Sequence, residues 1–429
     1  MLPTSHPQRF ELNDEVHARP PESLQAPQRI TFLALFSPVT ARTAEWQHVC
    51  DLATRYHIRP PAEGANHFSA DLGPFRLKWE RHTEFTRYKF IVPGDGGDDP
   101  FAAPALAAVP ADWLEGLQGE AMVAAHVALL RAGDGPEDYN AIANRLFAGN
   151  PLVGARIAGG AATGLTDFRI HGDGFSRILV LDRSLTRRQA GRMVQRLLEI
   201  DAYRMLALLA LPEARELGPF LSQCERDLAA VTTTLADARA ADEPGLLDRL
   251  TRLQAAIESR HADNDYRFGA AAAYYELVQR RIDELREVRL QGLQTFGEFT
   301  DRRLAPAINT CRAIAARQES LSQRMARATQ LLSTRVDVAR QRQNQAVLES
   351  MNRRARLQLR LQQTVEGLSI AAITYYVVSL VGYAAKGIKA SGYPLDSDLV
   401  VAISIPVVAV LVALGVRRIR NMVSRAAPL

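Results

Sequence analysis

Two apolar segments near the C-terminus, residues 368–385 and 399–416, constrain this 429-residue chain more than any other feature. Neither contains a charged side chain, and each is 18 residues long. That is about the length needed to cross a hydrocarbon core of ~30 Å as a helix. They read as a transmembrane hairpin, with everything N-terminal to it outside the bilayer. Upstream, no Pro or Gly interrupts residues 307–366. At 1.5 Å per residue this stretch predicts a helix of about 90 Å leading into the first span.

Charge placement orients the hairpin. Arg353, Arg354, Arg356 and Arg360 precede the first span, and Arg417, Arg418, Arg420 and Arg425 follow the second. The connecting loop carries only Lys386 and Lys389, offset by Asp396 and Asp398. The positive-inside rule therefore places the large N-terminal part and the C-terminal tail in the cytoplasm. A formal charge of +5, with Arg and Glu/Asp interleaved along helical stretches, describes solvated helix faces and gives no expectation of a nucleic-acid partner. Cys50, Cys224 and Cys311 are far apart and form no C-x-x-C pair, which suits a reducing compartment. The N-terminus shows no basic region followed by an apolar run, so no secretory signal is expected.

Residues 1–27, rich in Pro and charge, read as an extended N-terminal arm. Residues 28–183 mix strand and helix signals. Strands are expected at Ile30 onward (ITFLALF), 66–72, 75–82, 86–92, 122–130 and 151–157, and helices at 41–56 and 136–147. A hairpin of 164–170 with 175–181 is expected about His171-Gly172-Asp173-Gly174. Residues 184–366 read as helical. The first helix is capped by Ser184 or Thr186 and runs to about Ala210, before Pro212. Others are expected at 217–241, 246–261 and 266–300, with a last one from near Pro306. In that last helix Leu321, Met325, Ala328, Leu332, Ala339, Ala346 and Met351 recur at three-and-four spacing, interrupted at Arg335 and Gln343. The pattern suggests a long coiled-coil-like helix. The spans then occupy 367–385 and 399–416, with an outer loop at 386–398 and a basic tail at 417–429. The expected architecture is an α+β cytoplasmic domain, a helical region built on one long helix, and a C-terminal two-helix transmembrane hairpin.

Two constellations stand out. In FRLKWERHTEF, strand alternation places Arg76, Lys78, Glu80, His82 and Glu84 on one face. Glu80, His82 and Glu84 are candidate cation ligands, since carboxylate and imidazole are usual donors. The simpler expectation is a solvent-facing strand stabilised by cross-strand charge pairs. His17 and Arg19 of the arm are candidates to dock there. On the first span, Ser369, Ala372, Tyr376, Ser379 and Gly382 follow at three or four residues. This stripe either packs on the second span or lines a pore in an oligomer. No ionisable group inside the spans suggests a proton relay, and Pro406 is expected to kink the second span. The glycines match no P-loop or dinucleotide fingerprint, and no nucleophile–base arrangement is apparent. No enzyme activity and no cofactor are expected.

ELNDEVHARPP, WERHTEFTRY, GRMVQRLLEIDAYRMLALLALPEAR and RLQLRLQQTVEGLSIAAITYYVVSLVGYAAKG together resemble a bacterial domain-of-unknown-function (DUF) family of predicted membrane-anchored proteins. The resemblance spans nearly the whole chain and implies the bacterial inner membrane, but no established activity. The layout also resembles CorA-type divalent-cation channels, pentamers whose first spans surround a pore. Their Gly-Met-Asn motif ends the first span, whereas here the matching place reads Gly382-Tyr383-Ala384. Two functions are therefore expected as alternatives. One is a CorA-like homo-oligomeric channel or transporter relative, with a divalent cation as partner. The other is a membrane-anchored cytoplasmic scaffold or sensor without transport.

Overall fold

The computed structural model describes residues 4–10, 12–13, 20–237, 242–391 and 396–426. Within them nine strands form one sheet: β1 (Gln28–Phe36), β2 (His67–Asp71), β3 (Arg76–Arg81), β4 (Phe85–Pro93), β5 (Glu120–Arg131), β6 (Val153–Ile157), β7 (Ala162–Thr166), β8 (Ser176–Asp182) and β9 (Val288–Arg289). Their order is β2-β3-β4-β1-β5-β8-β7-β6-β9. Every pairing is antiparallel except β5 with β8. The helices are α1 (Arg42–Arg55), α2 (Ala111–Glu115), α3 (Tyr139–Leu146), α4 (Arg187–Leu208), α5 (Ala210–Asp237), α6 (Glu243–Leu285), α7 (Phe296–Arg303), α8 (Ala305–Ala390) and α9 (Ser397–Ala426). The α+β class and the long helices expected from the sequence are present, as is a C-terminal apolar helix.

Contacts divide the chain into two units, Met1–Asp237 with Asp248–Thr329, and Ala238–Leu247 with Gln330–Leu429. The first holds the sheet. Alternation along β1 and β4 explains its two layers, because successive side chains point to opposite faces. Leu33, Leu35, Trp79, Tyr88 and Phe90 pack with Val49 and Leu52 of α1 and Trp113 of α2. Ile30, Phe32, Ala34 and Ile91 pack on the other face with Val194, Leu197 and Leu198 of α4 and Val278 and Ile282 of α6. Phe296 of α7 and Leu304 and Ile308, further along, join that second layer. The unit therefore does not stop at residue 183, since later helices complete its core and β9 extends its sheet.

Chain segment 20–26 forms a strap over this second face. Lys78 Nζ donates to Pro20 O at 2.7 Å, Arg76 pairs with Glu22, and Leu24 N donates to Arg187 O at 3.0 Å. Leu24 and Ala26 are buried. Gly191 of α4 makes this approach possible, because a Cβ there would lie 1.6 Å from Glu22 O. His17 and Arg19 lie outside the described residues.

Thr186 caps α4 through a capping box with Gln189, as the sequence suggests. Other helix boundaries differ from expectation. α6 runs without a break through His261–Tyr266, where two helices were expected. Asp263 and Asp265 are exposed there, while Leu250, Ile257, Phe268 and Ala271 are buried on either side. The burial stripe outweighs the small propensity cost of polar residues on the outer face. Conversely, the helix expected to reach residue 300 ends at Leu285, where Arg286 adopts a positive φ of 50°. The chain then pairs β9 with β6 and restarts at the Thr295–Glu298 capping box of α7.

In the second unit, α8 continues to Ala390, past the expected end of the first span, and α9 runs on through Pro406. Both helices contain stretches long and apolar enough to cross a membrane by length and composition, with mean hydropathies of 1.7 and 2.9. Part of the expected outer loop, 392–395, and the side chains of Arg420 and Arg425 lie outside the described residues. Of the coiled-coil-like stripe, Leu321, Met325 and Leu332 are buried, while Ala346 and Met351 are exposed.

Candidate functional site: a cationic cleft over a buried ion network

The β3–β4 hairpin organises the site. Strand β3 ends at Arg81, so His82, Thr83 and Glu84 do not continue its alternation; they make the turn, with His82 N donating to Phe85 O at 2.8 Å. Register sets Lys78 opposite Lys89 and Glu80 opposite Arg87. These four side chains share a face, and all are buried beneath the helical layer. The solvated charged strand that the sequence suggests is therefore a buried one.

Burial demands partners for such groups. Glu80 pairs with Arg87 at 2.9 Å and Lys78 at 3.2 Å. Arg87 reaches Glu199 of α4 at 3.3 Å. Glu199 also takes Arg281 of α6 at 2.5 Å and Gln195 at 2.8 Å. Glu284 pairs with Arg281 at 3.0 Å and Arg196 at 2.9 Å. Burial pushes Glu80 upward, but Arg87, Lys78 and Lys89 outweigh it and hold its carboxyl at about 2. Lys89 makes no ion pair or hydrogen bond among the described residues, and burial pushes it down to about 8. Among the described residues the network thus sets five cations, Lys78, Arg87, Lys89, Arg196 and Arg281, against three carboxylates.

Beside it opens a cleft of about 580 Å³. It is lined by Arg42, Gly64, Asn66, Arg81, His82, Thr83, Phe85, Tyr203, Tyr274 and Leu277. Arg81 is fixed from three sides. Its Nη2 donates to Arg42 O at 2.6 Å, its Nε lies 3.4 Å from Glu45, and its guanidinium sits 5.0 Å over the Trp79 ring. The rings of Tyr203 and Tyr274 stack at 5.7 Å, and those of His82 and Phe85 at 4.6 Å. Burial, then the nearby Glu199, raises the Tyr203 hydroxyl, so it is a neutral donor at physiological pH.

The three proposed cation ligands do not converge. Glu80 belongs to the network, and Glu84 accepts from Tyr274 at 2.7 Å and pairs with Arg267 at 2.9 Å. His82 stacks on Phe85 at the cleft. Among the described residues no group of three His, Cys, Asp or Glu side chains is placed to hold a metal ion. Sequence reasoning missed Arg81, Arg42, Tyr203 and Tyr274. The one available signal was the alternation of β3, which ends at Arg81.

On the apolar end of α8 the five-residue stripe separates. Steps of three, four, three and three residues turn through about 140° at 3.6 residues per turn. Gly382 is buried, with Val401 Cγ2 of α9 3.1 Å from where its Cβ would stand. Ser379 lines the groove beside it, whereas Ser369, Ala372 and Tyr376 are exposed. Ser369 and Ser379 each donate at 2.8 Å to the carbonyl one turn back.

Residues 4–423 match the family described as "Protein of unknown function (DUF3422)". The chain belongs to this family. Nearly its whole length is therefore DUF3422, as the sequence resemblance implies. No curated protein and no solved structure matches it. The layout likeness to CorA-type channels accordingly finds no support, and the DUF3422 match carries no activity with it.

Proposed function

We propose that this DUF3422 protein is a membrane-anchored cytoplasmic sensor or scaffold of the bacterial inner membrane. Its two C-terminal apolar helices cross the bilayer, both termini are cytoplasmic, and the sheet-bearing unit offers the cleft to a ligand. No catalytic role is assigned. The observation that carries the reading is the apolar surface left uncovered on the last helices. Leu368, Tyr375, Leu380 and Tyr383 of α8, and Leu399, Ile403, Leu411 and Leu414 of α9, are all more than half exposed. An apolar surface of this extent requires a cover. Arginines flank it, with Arg353, Arg354, Arg356 and Arg360 before it and Arg417 and Arg418 after it, which favours a bilayer as that cover and a cytoplasmic site for both ends.

An anchor is better supported than a pore. Gly382 packs against α9, and the hydroxyls of Ser369 and Ser379 are satisfied within their own helix. A polar stripe whose groups are already bonded gives little warrant for lining a water-filled path. The exposed Ser369, Ala372 and Tyr376 still leave room for a second copy, so stoichiometry in detergent belongs with the test.

Topology is tested by cysteine labelling. Cys50, Cys224 and Cys311 are buried, which lowers the background. Ser391, exposed at the end of α8, is replaced in S391C. In intact spheroplasts an impermeant maleimide is expected to label S391C, and a cysteine added after Leu429 only once the membrane is opened. Labelling of both in intact cells, or recovery of the protein in the soluble fraction, would sink the reading. Cation flux into liposomes carrying the purified protein would favour the channel alternative instead.

A further inference from the structure

We infer that the cleft beside the β3–β4 hairpin binds a small aromatic anion, a compound carrying a carboxylate or phosphate on a ring. This names the ligand class of the sensor reading and rests on it. The charge requirement comes from two arginines of the lining, Arg42 and Arg81. Arg81 is held in place by Glu45, the Arg42 carbonyl and the Trp79 ring, so little ordering remains to be done when a ligand arrives. Arg42 lines the same space and has no carboxylate partner among the described residues; its Nη2 reaches only Thr83 O, at 3.4 Å. Guanidinium groups present paired donors suited to carboxylate and phosphate. Among the described residues the buried network close by holds more cations than carboxylates. In low-dielectric surroundings that excess raises the potential of an adjoining cleft.

The ring requirement comes from Phe85, Tyr203, Tyr274 and Leu277, the aromatic and aliphatic side chains of the same lining. Stacked aromatic side chains favour a flat partner in offset or edge geometry. The volume, about 580 Å³, falls within the usual range for small-molecule pockets. A cationic ligand would meet Arg42 and Arg81, and an aliphatic anion would leave the aromatic side chains wet.

The test uses the full chain in detergent micelles and isothermal titration with four probes: phenylphosphate, benzoate, inorganic phosphate and benzamidine. Saturable binding of phenylphosphate or benzoate is expected, with benzamidine and inorganic phosphate at least about tenfold weaker, the scale of one charge-assisted contact or one buried ring. R42Q is expected to weaken the aromatic anions by about tenfold or more. L277W, which fills the cleft without changing charge, is expected to weaken them as well. Circular dichroism checks that both variants are folded. Failure of both aromatic anions to bind overturns the inference, as do equal binding of benzamidine, equal binding of inorganic phosphate, or affinities untouched by both substitutions. Membrane fractionation of the same protein is independent of these titrations, so failure of the anchor reading and failure of the ligand class are told apart.

Discussion

Glu80 and Lys89 occupy one square of β3 and β4 and have opposite pH consequences. The Glu80 carboxyl titrates at about 2 in the folded chain, below the ordinary 4.5. Its stabilisation is fully present above pH 4.5 and is lost as pH falls toward 2, a difference of about 3 kcal/mol. Glu80→Gln, which leaves Arg87 with Glu199 alone and takes the carboxylate from Lys78, should destabilise the first unit by about 3–5 kcal/mol at neutral pH and flatten the acid limb of its stability curve. For Lys89, held at about 8 against an ordinary 10.5, the burial cost is fully present below pH 8. It is relieved as pH rises from 8 to 10.5, so stability rises across that window. Lys89→Met should raise stability near neutral pH by about 1–4 kcal/mol and abolish the rise. Urea titrations followed by tryptophan fluorescence check both. Trp46, Trp79 and Trp113, the chain's three tryptophans, all lie in the sheet-bearing unit, so the signal reports that unit alone. The alternation that aligns Arg76, Lys78 and Glu80 is legible in the sequence. That their face is buried is not, because the residues answering it, Glu199 and Arg281, lie more than 100 positions away.

At the scale of elements, the strap and α4 meet at Gly191. A Cβ there would collide with the Glu22 carbonyl, a backbone atom that moves only if the strap moves. Gly191→Ala should cost about 1–3 kcal/mol, the range for overpacking. It should also speed cleavage after Glu22 by a glutamate-specific protease, because Arg76 and Ser69 then lose their hold on that carboxylate. An unchanged cleavage rate and an unchanged unfolding midpoint would remove this account of the glycine. Most elements are readable from periodicity: β1, β2 and β3, and α4 with its cap at Thr186. The misplaced breaks have local causes. Asp263 and Asp265 look like a turn but sit on the solvent face of α6, and the left-handed Arg286 that ends it carries no Gly or Asn to announce it. The Thr295-x-x-Glu298 capping box is the sequence signal for α7.

For the molecule as a whole, the first unit is closed by residues from far along the chain. A fragment ending at residue 183 lacks α4 and α6, which supply Val194, Leu197, Val278 and Ile282 to the second core layer. Such a fragment should show no cooperative unfolding, whereas one covering 20–329 should unfold with a single fluorescence transition. Cooperative melting of the short fragment would mean that the strands suffice. The cleft was illegible for the same reason, since its walls combine Arg42 and Arg81 with Tyr203 and Tyr274.

Strand β9 sets a timetable for synthesis. It pairs with β6, yet it leaves the ribosome more than 100 residues after β8. At roughly 5–20 residues per second, the β6 edge waits on the order of 5–20 s for its partner. An open strand edge is a template for pairing with other chains. The newborn protein therefore passes through an interval in which its sheet is vulnerable to joining that of a neighbour on the same message. The apolar helices emerge only after that interval, so the sheet can close before they leave the ribosome.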